Sequence, residues 1–169
     1  MANQNMTGVA LYKATPPRLA ESAQGGVSSE VVLVDTMEVT ALATDDTVVL
    51  AQIPVDAVIT SLQIACDDLA TTSITVDLGL YEGGTDGAAA SAVDDDCYAT
   101  AINVDGGVAL TEYRYEVKGI ETIDQPAWEI AGLSARPSYS NFDLVLHVNA
   151  ASGGQGGTLS TLVRYIIHP

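Results

Sequence analysis

The sequence predicts an all-β fold: an antiparallel β-sandwich or jelly roll with an extended N-terminal arm and one or two short helices. Three observations lead there. Apolar and polar residues alternate with period two in short segments, as happens when a strand buries one face and wets the other. Gly, Pro and Asp cluster between those segments at near-regular spacing. Valine, isoleucine and threonine are abundant while the chain holds a single Phe and a single Trp. Residues branched at Cβ suit a pleated surface better than a helix.

Residues 1–29 form the arm and residues 30–169 the sandwich domain. Pro16-Pro17 and Gly25-Gly26 punctuate the arm, which has no sustained periodicity. Lys13 and Arg18 against Glu21 give it a charge of 2 − 1 = +1, leaving −17 of the total −16 on residues 30–169. Such a segment cannot bury its own backbone, so it is expected to lie against its own domain or a neighbouring subunit.

Strands follow from Glu30. EVVLVDTMEV (30–39) opens the domain, and Asp45-Asp46 turn the chain into TVVLAQI (47–53). Pro54-Val55-Asp56 makes the next turn, and AVITSLQIA (57–65) is expected to place Val58, Leu62 and Ile64 on one face. After Asp67-Asp68, SITVDLGLY (73–81) sends Ile74, Val76, Leu78 and Leu80 one way and Thr75, Asp77 and Gly79 the other. Residues 82–107 form a long excursion in which DDDCYATAIN (94–103) is expected to make a short helix, since aspartates complement a helix start. VALTEYRYEV (108–117) reads as a strand, PAWEIAG (126–132) as a helical turn with Pro at its start and Gly past its end. FDLVLHVN (142–149), a flexible SGGQGG hairpin turn and TLSTLVRYII (158–167) complete the sheet.

Size and charge bound the function. At 169 residues the chain suits one domain, and 47 % hydrophobic residues are too many for a disordered protein despite the net charge of −16. Six basic residues against twenty-two acids and a pI near 4.1 give a surface that repels phosphate, which disfavours a nucleic-acid partner. The N-terminus lacks the apolar run of a signal peptide. Residues 47–66 are interrupted by Gln52, Pro54, Asp56 and Gln63, so they read as two strands and not as a membrane span.

Chemistry is harder to find. The contiguous Asp94, Asp95 and Asp96 lack the alternating spacing of a calcium loop, and side chains on adjacent residues diverge, so a solvated acidic rim is the expectation. Asp45, Asp46, Asp67, Asp68 and Asp105 sit in turns and would form a site only if those turns converged. His147 has Asp143 four residues before it, but i and i+4 on a strand lie about 13 Å apart, and no G-x-S-x-G motif accompanies them. His168 is penultimate and expected to be exposed. Cys66 and Cys97 are flanked by aspartates, which raise a thiol's pKa, so both are expected to be unreactive reduced thiols. GGTDG and GGQGG lack the Lys-Ser/Thr of a phosphate loop and read as turns. No enzyme, cofactor or metal is expected.

The segment QPAWEIAGLSARPSYSNFDLVLHVNAASGGQGGTLSTLVRYI (125–166) resembles the C-terminal half of small acidic structural proteins of tailed bacteriophages. There a WE-x-(A/L)-GL segment with a following Pro precedes a YDL-type strand, a Gly-rich turn and a final VRY strand. IPVDAVITSLQIACDDL, ITVDLGLYEGG and DDDCYATAIN are similar to upstream segments of those proteins, so the likeness spans roughly residues 45–166. It implies a virion component of the decoration, or cement, type. Its partners would be the major capsid protein and copies of itself, most simply as a trimer, on the outer surface of the capsid, with no nucleic acid or membrane bound. An acidic chain belongs outside a shell packed with phosphate. The mildly cationic arm, through Tyr12, Lys13, Pro16, Pro17 and Arg18, is the expected contact with the shell or a neighbouring subunit. Two other expectations stand beside it. One is a receptor- or glycan-binding head-fibre or tail module with an aromatic platform built from Tyr81, Tyr98 and Tyr139. The other is an internal tail or neck component.

Overall fold

A computed structural model describes residues 3–5 (backbone only), 30–83 and 91–167. The expected β-sandwich is what forms. Among the described residues nine strands make two sheets: β1 (Asn3–Asn5), β2 (Val31–Val39), β3 (Thr47–Pro54), β4 (Ala57–Cys66), β5 (Ala70–Glu82), β6 (Ala92–Asn103), β7 (Val108–Glu112), β8 (Asn141–Gly154) and β9 (Gly157–Ile167). One sheet has the order β1-β3-β8-β5-β6, the other β2-β9-β4-β7. All pairs are antiparallel except β1 on β3, which runs parallel with Asn3 opposite Thr47. A 3-10 turn (Ile120–Thr122) and one short helix, α1 (Ala127–Ile130), bridge β7 to β8. Among the described residues no helix is long and apolar enough to cross a membrane.

The inward faces of both sheets share a single core, with Val48, Ile53, Ile74, Val76, Leu78, Leu80, Phe142, Leu144 and Leu146 fully buried between them and Leu62, Leu159 and Val163. The expected alternation of β5 and β8 holds on this side. Its outward partners are not wet, however: Gly79, Tyr81, Asp143 and Val145 are buried as well, and over Gly79 the covering group is backbone.

That cover is β6, and it corrects the expected helix at 94–103. The segment is a strand paired to β5, with Thr75 opposite Asn103 and Leu80 opposite Asp94. Its register slips three times, so five residues of β6 span two of β5 between Leu78 and Leu80. A helix here would leave β5's edge amides without partners, whereas the irregular strand satisfies them and buries Cys97, Tyr98, Ala99 and Ile102. The excursion crosses β5 where Gly79 has no side chain: a Cβ there would overlap the Asp94 carbonyl oxygen and the Asp95 backbone. Ala101 takes the left-handed conformation (φ 52°) at one slip, and Asp77 Oδ1 accepts its N–H at 2.7 Å.

Three further expectations are corrected. Thr60 is a bulge, since Ile59 pairs Tyr165 while Ser61 pairs Arg164. The extra residue flips the alternation, so Ala57 and Ile59 join Leu62 and Ile64 in the core while Val58 is buried outside that cluster. The strand at 108–117 ends at Glu112, because the Arg114 side chain is drawn inside. Its Nε donates to the Ile59 carbonyl at 2.8 Å and its Nη2 to the Thr122 carbonyl at 2.9 Å, and Glu112 Oε1 accepts the N–H groups of both Leu62 and Arg114. Finally, SGGQGG is no hairpin within one sheet. β8 and β9 belong to different sheets, so Gln155-Gly156 turns a corner, and Gly154 packs so closely on Leu42 that a Cβ would overlap the Leu42 carbonyl oxygen.

Candidate functional site

Of the residues singled out from the sequence, Tyr12, Lys13, Pro16, Pro17 and Arg18 lie outside the described residues, as does His168. The rest can be placed. Three of the turn aspartates, Asp46, Asp67 and Asp68, cap backbone. Asp68 Oδ1 accepts the N–H groups of Ala70 and Gly106, both at 3.1 Å, and these two bonds hold its carboxyl below the usual range. Asp67 Oδ2 accepts from Thr158 and Asp46 Oδ2 from Ala43. Acidic side chains at these turns satisfy amides that the strands leave over.

What does converge is Asp94, Asp95 and Asp96. One oxygen from each lies within 4.8 Å of the others, which corrects the expectation that a contiguous run must diverge. The register slips rotate successive side chains away from strict alternation. Burial, and then the hydrogen bond from Asp96, raise the Asp94 carboxyl above its ordinary value. His147 comes up from β8 beneath this loop, with Nδ1 3.8 Å from Asp95 Oδ2 and Nε2 4.0 Å from Asp45 Oδ1. Its neighbours are therefore not Asp143, whose fully buried carboxylate accepts from Gln52 Nε2 at 2.9 Å. Tyr81, in the same patch, is pushed up to about 12 by burial, with Asp95 and Asp77 adding to it. Three monodentate carboxylates supply only part of the six to eight oxygens that calcium takes, so the cluster alone does not define a cation site.

Nucleophiles are poor here. Both thiols are free and are held up, Cys66 and the fully buried Cys97 alike, with burial as the main cause and the adjoining aspartates second. Nor do the three tyrosines make a platform. Tyr98 is fully buried with the Arg114 guanidinium 5.5 Å from its ring centre. Tyr81 is 6 % exposed, and Tyr139 packs edge-on against Phe142. Sequence reasoning missed Arg114, which reads as an outward charge in an alternating strand.

No protein-family model and no curated protein matches the chain. Among solved structures, a chain in the capsid of Ralstonia phage GP4 is similar over 90 % of this chain and 92 % of its own, with a TM-score of 0.56 at 18 % identity. The shared property is the fold. A chain of the cyanophage Pam1 capsid asymmetric unit aligns over 89 % and 93 % of the two chains at 18 % identity with a TM-score of 0.48. A chain of the Helicobacter pylori bacteriophage KHP30 capsid aligns at 11 % identity with a TM-score of 0.40, over 83 % and 94 %.

Proposed function

We propose that the chain is a non-enzymatic structural protein of a tailed-bacteriophage virion, and within that class a decoration, or cement, protein on the outer surface of the head. The observation that carries this reading is the end-to-end likeness to the GP4 capsid chain, which leaves no substantial part of either chain over. Supporting it, Asp46, Asp67 and Asp68 are engaged in capping turn backbone. A net charge of −16 favours hydration on the outside of a shell over contact with packaged phosphate.

In this proposal copies associate, most simply as a closed trimer, and cement neighbouring capsomers of the major capsid protein. Binding only the assembled shell stabilises that state by mass action. The arm carries the contact through Tyr12, Lys13, Pro16, Pro17 and Arg18. The test is addition of the full chain, or of a form lacking residues 1–29, to shells stripped of accessory protein. Attachment of the full chain and loss of attachment by the truncated form, with its circular dichroism unchanged, is the expected result. Equal attachment by both forms contradicts the role of the arm, and attachment by neither contradicts the cement reading.

A further inference from the structure

The described edges of the sandwich are unequal. At one end of the larger sheet the edge of β3 is covered by β1. At the other end β6 is broken by its register slips, and in the second sheet β7 is five residues long with an irregularity against β4. Covering, bulging and shortening are the ordinary ways in which an edge strand is kept from recruiting another chain. β2 shows none of these three; its one protective feature is Asp35, half-buried on the core-side parity between Leu33 and Met37. It pairs β9 over nine consecutive residues without a shift, Val31 opposite Tyr165 through Val39 opposite Gly157. It carries no Pro or Lys, and its other edge faces no described strand.

Its outward side chains point the same way. Val32 is 47 % and Val34 68 % exposed, where an edge under no demand would carry charge. Glu30 and Glu38 flank them, and Arg164 is the one described base nearby, 3.8 Å from Glu30. We propose that β2 is a docking edge for an extended segment of another protein, one with β-branched residues at alternate positions and basic residues at its ends. The apolar positions would sit across from Val32 and Val34, and the bases against Glu30 and Glu38. A second copy of this chain is the poorer occupant of this edge, because antiparallel self-pairing of residues 31–39 would set Asp35 opposite Asp35. This inference does not depend on the capsid reading.

A nine-residue acetylated peptide of alternating valine and threonine, with lysine at both ends, is the probe. It is titrated into isotopically labelled full-length protein at 0.15 M salt, with amide shifts as readout. Shift changes centred on residues 31–39 are expected. Binding should weaken at least about tenfold when alternate peptide amides are N-methylated, since each methyl removes a backbone donor. It should also weaken in a Val32→Thr/Val34→Thr double variant and when glutamate replaces the peptide's lysines. Changes spread over the acidic turns, or unaffected by N-methylation, would mean charge adsorption only and overturn the proposal. So would a free protein that sediments as a dimer through this edge. Exchange-protected β2 amides that open on deletion of residues 1–29 would show the chain's own arm in place, with the same consequence.

Discussion

Gly79 and Arg114 each hold a part of the molecule that no alternation pattern encodes. The Asp94–Asp95 backbone rests where a side chain at residue 79 would stand, so Gly79→Ala forces a strand to move. Overpacking typically costs about 1–3 kcal/mol, and a backbone obstacle places this variant at the upper end, read as a lower urea midpoint. Arg114 is fully buried and links β4 to the 3-10 turn through the Ile59 and Thr122 carbonyls. Arg114→Met strands those carbonyls and is expected to lose about 2–4 kcal/mol. Arg114→Lys should recover little, since one ammonium cannot reproduce the planar fork. Asp94 provides a test by pH. Its carboxyl is raised by burial and by Asp96, so the folded state holds its proton at a higher pH than the unfolded chain does. The ionised group therefore costs stability above its folded value, and that cost disappears as pH falls through it. Asp94→Asn is expected to raise the melting temperature at neutral pH, with the gain shrinking through the carboxylate range; a gain that grows on acidification would refute the assignment.

Strand placement follows closely from the sequence where apolar segments are bounded by turn residues, even for β3, β5 and β8, which are buried on both faces over much of their length. β2, β3, β5, β8 and β9 fall where the alternation and turn residues put them. It fails where backbone is covered by backbone. The run from Asp94 to Asn103 looks like a helix start because its acids dominate the pattern, and only the missing side chain at Gly79 explains why the strand can fit there. The bulge at Thr60 shifts Val58 off the expected face, and no residue type announces it. In the site, the placement of the acids in turns was legible, whereas the bonds from Asp68 to Gly106 and from Asp67 to Thr158, and the meeting of Asp95 with His147, depend on long-range pairing. The corner between β8 and β9 offers a paired test. Gly154→Ala, which would overlap the Leu42 carbonyl oxygen, is expected to destabilise markedly. Gly106→Ala meets open space at φ +78° and should cost only the left-handed penalty of about 1–2 kcal/mol, so equal losses in a thermal melt would argue against the packed corner.

At the scale of the whole molecule, charge and shape divide the labour. Twenty-one of the twenty-two acids belong to residues 30–169, where Asp46, Asp67 and Asp68 cap turns and Asp143 is buried against Gln52, while the core is held by aliphatic strands of both sheets. Under the proposed cement role, such a body stays solvated and adhesion is confined to the arm. The copy number of this chain per virion, from quantitative mass spectrometry of purified particles against the major capsid protein, tests that account most directly. Hundreds of copies in fixed ratio to the shell protein are predicted; a handful, as at a single vertex or tail tip, would contradict it.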